Sequence, residues 1–574
     1  MRRSFKCGIS LVTFMMLLGL CQGCGKTLSE DIPAENGNAV DVSEESADAD
    51  NSGAEDKNDS EGNAALTEGD SDAESNTEKE DEETPEVPLK LRIENLSHYE
   101  YKEPDSYEAL MSGSYELVEL DDESKTAYPE LDKSLKSFNN REEDDFLKSY
   151  NSYLSDARNW YDGLEDKEDF YECYIKKDIK ILRADNNYLC IRVDEEDYMG
   201  GAHGSYGSGG YNYDTISGEE LELKDIIPDI EKLQELVKDK LSEKYADLVT
   251  LDSLDNAVPQ YLTGDANQGC SWFITPDGVD IYFGIYQLGA YAAGTQTVSI
   301  LYDENPELFV EGFCKQEDNY VKAIDTWDNI TADVNGDGTA DSFMIVPETD
   351  GYDWVNSLNF TVNGTESKIE VYGYDAAPYL VRVGGNTYIY VEMSSENDYR
   401  TIRAFKVNGD EVEKIGEYGG YITDKLPASN YESVWASYWK SAFTSPVDIY
   451  VGDIIQIFTT HTGIAGAYID ADGKLVITDD YYYAYQYGGS NTITCKKSVK
   501  ADVIDKDTFE TITEGVTVSS GDKFSVYGTK GEDTVDLMGA DGKLYRFNIK
   551  SDDWPQTIDG VDIEELFDGI MFAG

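Results

Sequence analysis

The chain has 574 residues, and its 116 acidic side chains against 46 Lys and Arg give a formal net charge of −70. Such a length exceeds one domain and accommodates about three. The charge argues against a nucleic-acid partner, because phosphate binding needs clustered Lys and Arg, and it favours cationic proteins or divalent metals. The same acidity also serves to keep an extracellular chain soluble.

Arg2, Arg3 and Lys6 open the sequence, followed by the apolar run Gly8 to Leu20 and then Leu20-Cys-Gln-Gly-Cys24. This arrangement is a targeting segment, not part of a fold. It resembles a bacterial lipoprotein signal, in which a small residue precedes the cysteine that is acylated. Gly23 fits that pattern, whereas Cys21 stands where an aliphatic residue is usual. The resemblance implies a signal peptide and lipobox over residues 1–24 and lipidation at Cys24. The chain would then sit on the outer face of a bacterial membrane, touching it through a lipid anchor only. An ordinary signal peptide or an uncleaved anchor is the alternative. The most apolar later run, Ile281 to Gly294, is too short to span a bilayer and carries Gln287.

Residues 25–88 read as a disordered acidic linker. From Glu30 to Glu86 there are 22 acidic residues against Lys57 and Lys79, with no aromatic. Such a stretch cannot bury enough apolar surface to offset its ordering entropy, and self-repulsion extends it into a tether.

Order begins with the alternating strand Leu89 to Ile93. Helical spacing follows in Leu131, Leu135, Phe138, Phe146, Tyr150 and Leu154, with Pro129 suited to the first turn. Strands are expected at Asp169–Ile175, Ile179–Arg183 and Tyr188–Val193, and an amphipathic helix at Ile230–Leu241. Trp272 to Phe283 reads as a hairpin turning at Asp277-Gly278, and Thr297–Leu301 as a final strand. Residues 89–312 thus form an α+β module, an antiparallel sheet with packed helices. Cys173, Cys190, Cys270, Cys314 and Cys495 read mostly as small buried apolar residues. The spacing also allows a Cys173–Cys190 bridge across a hairpin turning near Asp185.

The stretch Tyr198 to Tyr213 stands out, with six glycines (200, 201, 204, 207, 209 and 210) around His203. Read as a glycine loop, it offers a ligand site of His203, Tyr206 and Tyr211, joined by Tyr286. His203 serves either a ligand or the turn itself, with its ring bonded to backbone. The blocks Gly200-Gly-Ala-His-Gly204, Gly218 to Asp225, Phe273 to Phe283 and Tyr286 to Gly294 resemble one extracellular module. It accompanies the catalytic domain in PdaC-type peptidoglycan deacetylases and forms the sensor part of RsiV-type anti-sigma factors, which bind lysozyme. The resemblance implies binding or sensing. It does not imply deacetylation, which in that family belongs to a separate metal-dependent domain with paired histidines; here the other histidines are His98 and His461.

From about Asn319 the texture changes to short strands with Asn, Asp and Gly turns, an all-β half. In Asp333-Val-Asn-Gly-Asp-Gly-Thr-Ala-Asp341 the oxygen ligands Asp333, Asn335, Asp337, Thr339 and Asp341 suit Ca²⁺, although Met344 stands where an EF-hand needs Glu. The loop resembles those of FG-GAP β-propeller repeats; an ion-free turn is the alternative. Tyr431 to Ser445 is rich in aromatics and reads as a helix. Asp479 to Tyr487 alternates as a tyrosine-bearing strand. Strands at Val499–Val503, Thr508–Ile512, Lys523–Tyr527, Thr534–Met538 and Lys543–Ile549 suggest a small SH3-like barrel over residues 499–574, after a β-rich region over 319–490.

No catalytic residue emerges, and the chain reads as a non-enzyme. The expectation is a lipid-anchored surface protein that binds a cell-wall glycan or a cationic wall-active protein such as lysozyme. A wall-polymer hydrolase using the His203 loop is the alternative.

Overall fold

The computed structural model describes residues 87–572, apart from 247, 250, 264–268, 314–317, 351–353, 397–398, 428–429, 431–432, 479 and 486–491, and apart from the side chains of 251–253. The targeting segment with Cys24, the linker through Glu86, and Cys314, Tyr431, Asp479 and Tyr487 lie outside the described residues. No described helix is long and apolar enough to cross a membrane. The described chain has a mixed α/β N-terminal part and a large all-β half.

Strand β1 (Leu91–Tyr101) pairs antiparallel with β2 (Ala109–Leu120), burying Leu91 and Ile93 on its inner face. Asp121 caps α1 (Asp122–Ala127) by accepting from the Ser124 amide at 2.7 Å. Helix α2 (Pro129–Gly163) starts at Pro129 and buries Leu131, Leu135, Phe138, Phe146 and Tyr150 along one stripe. It returns the chain along its own length, so β3 (Cys173–Ala184) adds to β2 in parallel. The sheet expected to be antiparallel therefore contains one βαβ crossover. Its third strand is continuous where the sequence suggested two short ones. β4 (Tyr188–Tyr198) and β5 (Ser205–Asp214) complete this side antiparallel.

The chain then forms α3 (Leu223–Ile226), α4 (Ile230–Lys244) and α5 (Leu251–Leu262), and a small sheet of β6 (Ser271–Ile274), β7 (Gly278–Phe283) and β8 (Gln296–Leu301). Leu233, Val237 and Leu241 of α4 share a core with Ile281, Phe283, Val298 and Ile300. Cys173 and Cys190 are buried free thiols. Cys190 faces Arg183 across the β3–β4 ladder while Cys173 lies at the far end of β3, so the bridge does not form. Burial pushes the Cys173 thiol up to about 11.

In the β-half, β9 (Tyr320–Ala323), β10 (Ile330–Ala332), β11 (Asp341–Thr349), β12 (Val355–Val362), β13 (Thr365–Val383), β14 (Asn386–Ser394), β15 (Arg400–Asn408) and β16 (Glu411–Gly419) form one sheet. After β17 (Tyr421–Thr423) comes β18 (Ala436–Ser441), in the region expected to be helical. It pairs with β1, Arg92 opposite Ser441 through Ser97 opposite Ala436, and becomes the edge strand of the first sheet. Tertiary pairing with an open edge decides its conformation.

The C-terminal strands Val499–Ile504, Thr511–Val518, Lys523–Lys530, Thr534–Gly539 and Leu544–Asn548 do not show an SH3-like barrel. They belong to a larger sheet with Ile449–Ile457, Thr459–Ile469 and Tyr481–Tyr485, in which Tyr481 pairs with Lys530. The strand expected at Thr508–Ile512 starts instead at Thr511, because Asp505 accepts from the Asp507 and Thr508 amides and holds a turn there.

Candidate binding site

The glycine-rich stretch is shorter as a loop than its composition suggested. Gly207, Gly209 and Gly210 lie within β5, and only residues 199–204 turn between β4 and β5. Three glycines lie in that turn, Gly200, Gly201 and Gly204, the second at φ +99. Gly200 sits at φ +89, where a Cβ would lie 2.9 Å from the Trp160 ring, and a Cβ on Gly204 would lie 2.3 Å from the Asp197 carbonyl oxygen.

The turn lifts His203 into solvent, where its ring stacks on Tyr291 with centroids 3.8 Å apart and planes 21° apart. His203 Nδ1 donates to the Gly204 carbonyl at 2.9 Å, and the Tyr291 hydroxyl donates to the same oxygen at 3.1 Å. Tyr206 meets Tyr291 edge-on at 6.0 Å, and Tyr286 lies 5.8 Å from it. Tyr286 is 59% exposed and held at φ +67, a left-handed backbone that a bulky residue rarely takes. Such strain clusters at binding sites. His203, Tyr206 and Tyr286 thus converge on a ring that the sequence reading had not singled out. The signal for it was one tyrosine framed by small residues in Gly289-Ala-Tyr-Ala-Ala-Gly294.

Tyr211 does not join this group. Its hydroxyl donates to Glu142 at 3.0 Å, and its ring packs 4.9 Å from Phe138 between α2 and the sheet.

Beside the rings, β4 ends in Asp194-Glu-Glu-Asp197. Tyr174 donates to Glu196 at 2.7 Å. Burial and the charges of Glu195 and Glu196 raise the Asp197 carboxyl. Behind this acidic end lies a charge cluster. Arg192 donates to Asp194 Oδ1 and to Asp325 Oδ2, each at 2.6 Å, and Lys180 pairs with both carboxylates. No sequence pattern marks this cluster, since Asp325 comes from the segment between β9 and β10.

The three histidines occupy separate elements: His98 on β1, His203 in the turn and His461 on the strand Thr459–Ile469.

In the loop from Asp333 to Asp341, Asp333 accepts from the amides of Gly336, Asp337 and Gly338, and Asn335 Oδ1 accepts from Asp337. Asp337 Oδ1 accepts from the Thr339 amide. Asp341 is buried, and its two oxygens take N–H groups from Val334, Asn335 and Asn363. Among the described residues no group of three or more His, Cys, Asp or Glu side chains is placed to hold a metal.

Two protein families match parts of the chain. Residues 122–206 match a family described as deacetylase PdaC, and residues 224–303 match DUF3298, described as a protein of unknown function. The N-terminal part therefore contains a PdaC-like and a DUF3298 domain. A DUF3298 crystal structure from Bacteroides fragilis aligns at 20% identity and a TM-score of 0.30, covering 40% of this chain and 98% of that one. Another, from Pseudomonas aeruginosa, aligns at 17% identity and a TM-score of 0.27, covering 40% and 97%. No curated protein matches the chain.

Proposed function

We propose that this is a lipid-anchored bacterial surface protein that binds or senses a cell-wall glycan or a cationic wall-active protein such as lysozyme. The observation that carries the reading is the exposed His203–Tyr291 stack, flanked by Tyr206 and the strained Tyr286. Rings with one polar and one apolar aspect suit sugar faces and protein interfaces, and the carboxylate of Glu196, opposite Tyr206 in the β4–β5 ladder, suits hydroxyls or cations. Lipidation at Cys24 and the acidic tether, both read from sequence, would hold the platform outside the membrane.

The test is binding of the chain to lysozyme and to purified peptidoglycan at two salt concentrations. Saturable binding that persists in high salt and falls in Tyr291→Ala is expected. Binding abolished by salt would reduce the effect to the net charge. The deacetylase name of one matching family favours a second reading, a wall-polymer hydrolase using His203. Wall fragments whose composition is the same after exposure to wild type and to His203→Ala would remove it. Calcium binding at the Asp333 loop is a separate proposal, supported by the order of its oxygen-bearing residues.

A further inference from the structure

A cleft of about 410 Å³ opens beside Tyr206 and runs beneath the segment 324–330. Its floor is the polar face of the small sheet. Along β8 and the residue before it, Gln296, Val298 and Ile300 are buried, while Thr295, Thr297 and Ser299 turn the other way. On β7, Asp280 stands opposite Ser299 and Tyr282 opposite Thr297. A polar sheet face usually meets open water. Here a roof covers it, pinned by Asp325 to Lys180 and Arg192. Lys244, at the end of α4, ties roof to floor by donating to the Asn329 carbonyl at 2.7 Å and the Thr297 carbonyl at 2.9 Å. The volume falls within the range of small-molecule sites, and these ties keep it from collapsing.

The chemistry inside is specific. Asp280 Oδ2 lies 3.6 Å from the buried Lys322 ammonium, while its Oδ1 is buried without a hydrogen-bond partner, an acceptor open to a donor. The Thr297 and Ser299 hydroxyls both donate and accept. Tyr206 and Phe273 supply ring surface. An apolar ligand would leave Asp280 Oδ1 unsatisfied. The cations of the lining are already partnered, Lys176 by Asp178, Lys180 and Arg192 by Asp194 and Asp325, Lys322 by Asp277 and Asp280, and Lys244 by backbone carbonyls. A polyanion would therefore face Asp194, Glu195, Asp280 and Asp328 without a free counter-charge.

We infer that this cleft is a saccharide subsite, taking an uncharged, hydroxyl- and N-acetyl-bearing sugar at the end of a glycan laid across the ring platform. The inference deepens the wall-binding reading and rests on it, because Tyr206 belongs to both platform and cleft.

The test is calorimetric titration of the full-length chain with the β-1,4-linked tetramer of N-acetylglucosamine. The variants are Thr297→Val with Ser299→Ala, which removes two hydroxyls and little volume, and Tyr291→Ala on the platform. Wild type binds the tetramer, and the cleft double variant binds about tenfold more weakly with an unchanged melting temperature. A double variant that titrates like wild type overturns the inference, and so does a wild type that takes up no tetramer. If only Tyr291→Ala weakens binding, the platform stands and the cleft does not. If only the cleft variant weakens it, wall-glycan binding stands through the cleft, and the part of the inference that lays the glycan across the rings falls. Lysozyme binding without tetramer binding likewise removes the cleft alone.

Discussion

Arg192 Nη1 donates to Asp325 Oδ2 at 2.6 Å, joining two residues 133 positions apart in sequence. The contact fastens β4 of the N-terminal part to the segment that leads into the all-β half. Burial pushes the Asp325 carboxyl upward, but Lys180 and Arg192 outweigh it and hold the group well below the usual carboxylate range. A folded-state pKa below the unfolded one means stability that is present above the ordinary value of 3.8 and lost as pH falls beneath it. Asp325→Asn keeps the volume and removes the charge. It should cost about 2 kcal/mol near neutrality, less than a wholly broken buried pair, because Lys180 and Arg192 retain Asp194. Chemical denaturation should show the gap from wild type closing in acid; a gap independent of pH would mean that charge pairing is not what holds the segment.

Tyr286 separates binding from stability. Its left-handed backbone costs free energy in the folded state, and its side chain is mostly in solvent. Tyr286→Gly should therefore leave stability unchanged or raise it by about 0.5 kcal/mol, while weakening whatever the platform binds. A fall in the denaturation midpoint would show the ring to be a packing residue and count against the platform.

Trp435 precedes β18 and enters a socket formed by Tyr115, Phe146, Tyr150 and His98, with ring centroids 5.1 to 5.7 Å away. Trp435→Ala should cost about 3 kcal/mol through the cavity left among these rings. A fragment ending near residue 312 would lack both this ring and β18, exposing the edge of β1. It should be less stable than the full chain and prone to associate through that edge, as light scattering would report. A monomeric fragment whose N-terminal part melts as it does in the full chain would show that β18 adds nothing.

This strand marks where the sequence stops being legible. Local periodicity was enough for α2 and α4, whose apolar residues recur at helical spacing, and for the Trp272 to Phe283 hairpin. β18 was not readable, because its conformation is set by an edge more than 330 residues earlier in the chain. The glycines of β5 misled for the opposite reason. Composition pointed to a loop, but the neighbouring β4 supplied a ladder, and a Cβ on Gly210 would lie 2.2 Å from the Trp272 carbonyl oxygen. Within the candidate site, His203, Tyr206 and Tyr286 were visible as residues. That they meet around Tyr291, and that Tyr211 turns inward, depends on the packing of β5 against α2 and the 284–294 segment.

The Asp333 loop gives a clear test of calcium. If the loop binds it, millimolar-range calcium should raise the melting temperature, and Asp337→Ala, an exposed position, should remove the shift while lowering stability in chelator only slightly, through the lost contact to the Thr339 amide. Asp341→Ala should destabilise with or without the ion, because its carboxylate anchors Val334, Asn335 and Asn363. A melting temperature indifferent to calcium and chelator would leave the loop as a turn organised by Asp341.

Glu392 on β14 should give the β-half a pH dependence opposite to that of Asp325. Burial raises its carboxyl to about 7, against the opposing pull of the Ile422 amide and Arg400. An acid whose folded pKa lies above the unfolded 4.5 contributes stability that is whole below that value and lost as pH rises toward 7. Glu392→Gln keeps an oxygen to accept from Ile422 and carries no charge to desolvate. The variant should exceed wild type by about 2 kcal/mol near pH 8 and lose that advantage near pH 5. Urea denaturation of both proteins across this range measures the difference directly. An advantage that stays constant with pH would mean that Glu392 is already neutral or already solvated in the folded chain, and that burial at the junction of β14 and β17 does not govern its charge.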